Sequence, residues 1–329
     1  MKIVLDAMGG DNAPMVEVEG AIQAAQEFDH EIILVGDETR IKKEMEKHNF
    51  SSPKIIFKHA SEVIGMGEQA AISVRRKRDS SIVVGLDLLK KGQADAFVSA
   101  GNTGAVVCAA ALSLRLLPGI ERPGIAIVIP TLSGSSLMID VGANIAAKPI
   151  HLLQYGIMAD AFSRFILGKS NPTVGLLSVG EEETKGTDFV KETHTLLIES
   201  KLNFLGNIEG RDVYKGTTDI ILCDGFVGNI VLKISESLAS NIMLLLKQEI
   251  KSNFIATLGA ILSGSAFHEV KRKIDYSEHG GAPLLGVDGI CIIAHGSSTP
   301  KAIKNAIRQA AEFVKQDINK HIIEELESY

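Results

Sequence analysis

Short apolar runs rich in Ile and Val recur along the whole chain: Ile3 to Leu5, Glu31 to Val35, Lys54 to Phe57, Ala96 to Ser99, Ile125 to Ile129, Leu137 to Val141, Val174 to Val179, Asp219 to Cys223 and Ile290 to Ala294. Runs this short and this apolar suit strands buried on both faces, as in a parallel sheet covered by helices. Segments with helical spacing of apolar residues lie between most of them: Val16 to Phe28, Ile41 to His48, Ile82 to Lys91, Thr103 to Leu114, Pro149 to Leu167, Phe189 to Glu199 and Lys301 to Leu326. Strand alternating with helix predicts an α/β fold, here a three-layer α/β/α sandwich around a mainly parallel sheet. The 329 residues would allow two domains, but no linker, repeat or low-complexity tract divides them. The expectation is one domain over 1–329 with a helical insert over 226–275.

In that insert Ile230, Val231, Ile234, Leu238, Ile242, Leu245 and Leu246 recur at helical intervals. Phe254 to Leu262 is apolar nearly all round, and the basic cluster Lys271-Arg272-Lys273 follows. Such a segment is buried in a dimer or lies on a lipid surface. The run without ionisable side chains from Ser252 to Phe267 is shorter than the ~20 residues that span a bilayer, so no span is expected.

Hydrophobic and charged shares of 45% and 22% are ordinary for a globular chain and argue against disorder. A net charge of −6 and the absence of Trp argue against nucleic-acid binding. Cys108, Cys223 and Cys291 lack C-x-x-C spacing, and Met1 to Asp6 enters a strand with no leader ahead of it. Both features predict a cytoplasmic location.

Nearly every predicted strand ends in a polar, glycine-containing loop. These are Asp6-Ala7-Met8-Gly9-Gly10-Asp11, Ser99-Ala100-Gly101-Asn102-Thr103-Gly104, Asp140-Val141-Gly142-Ala143-Asn144, Ser178-Val179-Gly180-Glu181-Glu182-Glu183, Asp224-Gly225-Phe226-Val227-Gly228-Asn229 and His295-Gly296-Ser297. In open parallel sheets ligands bind at the carboxyl ends of strands, so the loops are expected to converge on one site. Glycine lets backbone N–H groups approach a ligand, and a helix starting after the loop adds its positive end; the combination favours an anion such as phosphate. Lys185, followed by Gly186, is the lysine inside such a loop. Taken singly, each loop also reads as a turn or helix cap.

Several common motifs are missing. No G-x-x-x-x-G-K-[ST] loop occurs, Gly65-Met66-Gly67-Glu68-Gln69-Ala70 does not directly follow a strand, and neither a nucleophile elbow nor zinc spacing is present. Cys223 inside an apolar run reads as a buried small hydrophobe, although it precedes Asp224. The basic run Arg75-Arg76-Lys77-Arg78 reads as a solvated helix end or as a dock for an acidic partner.

The loops at Asp6–Asp11 with Pro14, Ser99–Ala105, Asp140–Asn144, Cys223–Asn229 and His295–Ser297, together with Gly280-Gly281-Ala282-Pro283-Leu284-Leu285-Gly286, closely resemble the bacterial acyl-ACP:phosphate acyltransferase family, in order from residue 1 to about 315. The resemblance implies transfer of a long-chain acyl group from acyl-ACP to inorganic phosphate, giving acyl phosphate for phospholipid synthesis. It further implies a fold like isopropylmalate dehydrogenase and phosphate acetyltransferase. A homodimer loosely associated with the membrane is implied, with a membrane acyltransferase as a possible partner and no metal or organic cofactor.

In that light the expected catalytic residues are Lys185, Asn229, Asp224 and His279, with Asn229 polarising the carbonyl and His279 or His295 offered as proton donors. Phosphate and substrate are assigned to Gly9, Gly10, Asp11, Gly101, Asn102, Thr103, Gly104, Asp140, Asn144 and Gly228, with the Gly101–Gly104 and Lys185 loops around the phosphate. Arg75, Arg76, Lys77 and Arg78 become the expected dock for acidic ACP. The carboxylates Asp6, Asp11, Asp140 and Asp224 repel an anion; they cap helices, orient Lys185 or fix Asn amides. Competing readings are a short-chain phosphotransacetylase using acyl-CoA, a dehydrogenase of the isopropylmalate type, and a non-enzymatic acyl- or phosphate-binding regulator on the membrane.

Overall fold

The computed structural model describes residues 1–274 and 280–329. The first part of the chain forms β1 (Lys2–Asp6), α1 (Met15–Glu27), β2 (Glu31–Gly36), α2 (Glu38–Lys47), β3 (Ile55–His59), α3 (Ala70–Arg76), α4 (Ser81–Lys90), β4 (Ala96–Ser99) and α5 (Thr103–Ser113). Next come β5 (Gly124–Thr131), β6 (Gly134–Ile139), α6 (Pro149–Phe165), β7 (Thr173–Leu177), α7 (Asp188–Ile198), β8 (Asn203–Ile208) and β9 (Ile220–Leu222). A helical arm of α8 (Gly225–Ser252), α9 (Phe254–Leu262) and α10 (Gly264–Ile274) precedes β10 (Ala282–Leu285), β11 (Ile290–Ile293), α11 (Pro300–Lys315) and α12 (Ile318–Ser328).

All strands join one sheet in the order β3-β2-β1-β4-β11-β10-β5-β6-β9-β7-β8. Side chains of successive strand residues point to opposite faces. Ile3 and Leu5 of β1 accordingly join one hydrophobic layer while Val4 joins the other. Ile220 and Leu222 of β9 split from Ile221 in the same way. Helices α1, α6 and α11 cover the first layer, α4 and α5 the second, which is the expected three-layer sandwich. Each of these fully buried aliphatic side chains contributes roughly 1.5–3 kcal/mol. Helices α1 and α11 approach closely because Gly20 has no side chain: a Cβ there would lie 2.6 Å from Cβ of Ile303.

The sheet is less uniformly parallel than the apolar runs suggest. Strands β3, β2, β1, β4 and β11 are mutually parallel. Strand β10 is antiparallel to both β11 and β5, and β5 is antiparallel to β6. Strands β6, β9, β7 and β8 are parallel to one another, so they run opposite to the first group. Ile125 to Ile129 is therefore an antiparallel strand between antiparallel neighbours. Strands β8 and β10 add to the expected set, and the segment Lys301 to Leu326 divides into α11 and α12 at Asp317, whose φ is +49°.

Helix α8 begins one residue ahead of the expected insert and is about 42 Å long. Only Gly225 and Gly228 are buried, and Ile234, Leu238, Ile242 and Leu245 form an exposed stripe. Among the described residues it is the one helix long and apolar enough to cross a bilayer by length and composition. Its first turns, however, are built into a polar cleft.

Candidate active site

Two loop clusters wall the cleft. The first follows β1, β4 and β11. Asp6, fully buried at the end of β1, accepts hydrogen bonds from Ser99 Oγ at 2.7 Å and the Met8 N–H at 3.0 Å. Ser99 Oγ in turn accepts the Gly101 N–H at 3.0 Å. The loops touch through backbone, since a Cβ on Gly9 would lie 2.6 Å from Gly101 N. Glu17 of α1 accepts the Gly10 N–H at 3.1 Å, and the Asp11 N–H donates to Gly296 O at 2.9 Å, tying in the β11 loop.

Asn102 caps α5 by accepting the Ala105 N–H at 3.0 Å, and its amide lies within 3.2 Å of the carbonyls of Gly65, Met66 and Glu68. It holds the loop leading into α3. Thr103 and Gly104, next along, are exposed at the start of α5.

The second cluster follows β6, β9 and β7. Asp140 is fully buried; its Oδ1 accepts the N–H groups of Ile125, Gly142 and Ala143 at 2.9–3.1 Å, and its Oδ2 accepts that of Asn144 at 2.7 Å. Burial pushes its pKa up, against the pull of those four donors. The Asn144 amide donates to Pro123 O at 2.6 Å and Tyr155 Oη at 2.7 Å. Asp140 and Asn144 thus brace the loop. Asp224 is the cap of α8, accepting the Phe226 and Val227 N–H groups at 2.9 and 3.0 Å. Among the roles open to these carboxylates, Asp224 takes the capping one, while Asp140 holds the backbone of a non-helical loop.

Gly228 packs on this cluster, since a Cβ there would fall 1.9 Å from Asp140 O. Asn229 is exposed and stands 3.8–4.0 Å from where a Cβ on Gly142 would be. Lys185 is exposed in the loop after β7, its stem against Gly180. Cys223 is buried with its thiol pKa pushed well up by burial and donates to Asp140 O at 3.4 Å, which removes it as a nucleophile. His279 lies outside the described residues.

The two strand groups run in opposite directions, yet the register brings their carboxyl ends to one level of the sheet: Ile139 at the end of β6 pairs with Ala126, the adjacent Ile125 pairs with Leu284, and Pro283 pairs with Ile292 near the end of β11. Helix α8 touches both clusters. Asn229 sits against Gly142 of the second cluster, while Nζ of Lys233 lies 2.8 Å from Nε2 of His295 in the first. Residues four apart share a helix face about 6 Å apart along the axis, so both clusters meet at the Asn229–Lys233 face. Lys185 belongs to the second cluster and Gly101–Gly104 to the first. Lys233 is a cleft cation absent from the expected set.

The basic run also divides. Arg75 and Arg76 end α3, and with Arg78 they are exposed. Lys77 instead binds Glu68 Oε1 at 2.6 Å and Val63 O at 2.7 Å, holding the Glu68 carboxyl down to about 2 and tying the end of α3 to the loop ahead of it. Helix α3 packs on α5: a Cβ on Gly104 would lie 3.2 Å from that of Ala70. Among the described residues no group of three or more His, Cys, Asp or Glu stands together to hold a metal ion.

The fold is similar to those of solved phosphotransacetylases. The Streptococcus pyogenes phosphotransacetylase is 18% identical with a TM-score of 0.63 over 96% of this chain and 94% of that one. The EutD phosphotransacetylase from Staphylococcus aureus is 17% identical with a TM-score of 0.59 over 95% and 94%. These likenesses define the class as a phosphotransacetylase-like α/β fold. A family model described as a fatty acid synthesis protein matches residues 1–321. Proteins named phosphate acyltransferase from Geotalea uraniireducens and Geobacter sulfurreducens are 51% and 48% identical, over 99% and 100% of this chain and 94% and 95% of theirs. The chain belongs to the phosphate acyltransferase family and is an acyltransferase of fatty acid and lipid synthesis.

Proposed function

We propose that the enzyme transfers a long-chain fatty acyl group from acyl-ACP to inorganic phosphate, giving acyl phosphate and the free carrier thiol. The observation that carries this reading is the meeting of two glycine-loop clusters at one face of α8, with Asp6, Asp140 and Asp224 turned to hydroxyl and backbone donors and away from an incoming anion. A phosphate oxygen attacks the thioester carbonyl carbon, the carbonyl oxygen becomes negative, and the carbon–sulfur bond breaks with the electron pair leaving on sulfur. By analogy with the second pKa of ~6 of phosphomonoesters, phosphate is already largely a nucleophilic anion at neutral pH. The departing thiol has a pKa of about 8.5, so no strong general base is required. Positioning and stabilisation of the developing oxyanion are what the protein supplies.

Asn229 is the exposed amide beside the Gly142 loop and takes the role of carbonyl polariser, while the start of α5 at Thr103 and Gly104 offers N–H groups to phosphate. Lys185 adds charge from the second cluster. Asn229→Ala is expected to lower kcat by about 10² in a thiol-release assay. An unchanged kcat would remove Asn229 from that role.

Acidic ACP docks, in this reading, on Arg75, Arg76 and Arg78, on the helix packed against α5. A triple Glu substitution should raise KM for acyl-ACP about tenfold and leave KM for phosphate in place, an effect that added salt diminishes. No change in KM would place the dock elsewhere.

The exposed stripe of α8 is read as the face for a second copy. The exposed Phe254, Ile255, Ile261 and Leu262 of α9 are read as the contact of a cytoplasmic enzyme with the membrane, where a membrane acyltransferase would take the product. The deciding experiment offers long-chain acyl-ACP and acyl-CoA in parallel with phosphate and measures free thiol and acyl phosphate. Release only from acyl-CoA, the activity suggested by the phosphotransacetylase fold, would overturn the carrier assignment.

A further inference from the structure

We infer that Ile145, Val179, Phe226 and Ile230 form the bed for the donor's acyl chain and set the preference for its length; that the chain is a long one rests on the function proposed above. All four are exposed at the second loop cluster, Val179 at 81%, Ile145 at 76%, Phe226 at 57% and Ile230 at 42%. Ile145 follows β6 and Val179 follows β7, while Phe226 and Ile230 open α8 after β9, the strand between those two.

The backbone sets them side by side. The Gly225 N–H donates to Asn144 O at 2.9 Å, joining the residues just ahead of Phe226 and Ile145. Leu176 of β7 pairs with Leu222 of β9, and continuing that register puts Val179 level with Gly225. The Ser178 N–H still donates to Ile208 O at 2.8 Å, so β7 keeps its course up to that point. With neighbouring strands about 4.8 Å apart, the row spans about 10 Å along the edge of the cleft. Phe226 and Ile230, four apart, share a face of α8, and Asn229, three residues beyond Phe226, borders it. The row therefore begins beside the amide assigned to the thioester carbonyl.

Three observations choose a hydrocarbon chain as the occupant. An acyltransferase of lipid synthesis receives an apolar chain covalently fixed to the reacting carbonyl, and that chain must leave the carbonyl along some surface. No member of the row is charged, whereas Glu181, Glu182 and Glu183 stand exposed directly beyond Val179, and an apolar strip rimmed by charge suits a hydrocarbon. The loops that carry the row are also held in place by the protein itself. Asp140 binds four N–H groups ahead of Ile145, and Asp224 caps the turn that begins with Phe226. A surface fixed in advance needs less ordering when a ligand arrives. Each methylene that leaves water against it contributes up to about fourfold in affinity, so the row discriminates by chain length.

Ile145→Gln, Val179→Asn and Phe226→Gln enzymes, singly and combined, should be assayed with phosphate and a series of donors from butyryl to palmitoyl, each carried on ACP and on CoA. The combined variant is expected to lose about tenfold or more in kcat/KM for the palmitoyl donor and about twofold at most for the butyryl donor, with KM for phosphate unchanged. A palmitoyl donor with a photoreactive diazirine in its chain reads the same surface in the unaltered enzyme, and its label should fall on Ile145, Val179, Phe226 or Ile230. If the combined variant does not fold, the single variants and the label decide. Equal losses at every chain length would overturn the bed, as would a label on Met66 beside Gly296 or on Ile234 to Leu245. Loss of self-association in sedimentation together with equal losses for all donors would assign the row to a second copy instead. Flattening of the length dependence on CoA alone would leave the bed standing and overturn the ACP assignment. An unaltered enzyme that prefers butyryl donors, with the label still on the row, would overturn the long-chain reading and keep the bed.

Discussion

An Asp140→Ala protein is expected to lose about 4 kcal/mol of stability in urea unfolding. Removing the carboxylate leaves four backbone N–H groups without their acceptor in a part-buried loop, each worth roughly 1–3 kcal/mol when orphaned and less than additive together. Water cannot replace it cheaply, because Asp140 is fully buried beneath Gly225 and Gly228 at the start of α8. Asp140→Asn is the informative companion. Its amide oxygen can still serve Ile125, Gly142 and Ala143, and only the Asn144 N–H is left facing a donor, so its loss should be about 1–2 kcal/mol. Equal losses for the two would show that charge, and not the set of acceptor bonds, holds the loop.

The second large effect is a pH dependence. Glu17 is buried under Gly10, its Oε2 has no hydrogen-bond partner, and burial together with Asp6 and Asp11 pushes its pKa up to about 7 from an ordinary 4.5. The folded state therefore holds this proton more tightly than the unfolded chain. The stability it contributes is fully present below about pH 4.5 and is lost as the pH rises through about 7, a difference of about 3 kcal/mol. Asp6, also raised by burial, acts in the same direction. Glu17→Gln cannot ionise and keeps an oxygen for the Gly10 N–H, so its unfolding free energy should fall much less between pH 5 and pH 8. Parallel curves for the two proteins would assign the dependence to other groups.

The layers were legible because burial on both faces writes itself as uniform Ile and Val runs, and the α/β class follows from them. Strand direction was not, since Ile125 to Ile129 is as apolar as any parallel strand and periodicity carries no sign. Strand β8, half-exposed and containing Gly206 and two Asn residues, lacks the apolar run of a central strand, and β10 is four residues long with a Pro inside it. At the cleft, the loops were legible from their Gly, Asp and Asn residues, while the partners their side chains take within the protein were not. Asn102 and Asn144 have the donors a phosphate wants, and only their neighbours reveal that backbone carbonyls and Tyr155 already take them. Lys233 and Glu17 went unmarked for the converse reason. Each is one charged residue in an amphipathic helix, where the ordinary reading is a solvated face, and the partner that gives it meaning is sixty-two residues away for Lys233 and seven for Glu17.

Helix α8 also acts mechanically, as a lever. Its cap at Asp224 is anchored in the second cluster, Lys233 stands about 13 Å along it, and its far end reaches about 42 Å, beyond the body of the protein. Pivoting the rod about its anchored end so that the tip at Ser252 moves by about 2 Å would carry Lys233 by about 0.6 Å. Misplacement of a reacting group by roughly 1 Å can cost 10² in rate. Whatever the exposed arm rests on therefore has a short mechanical route to the geometry of the cleft.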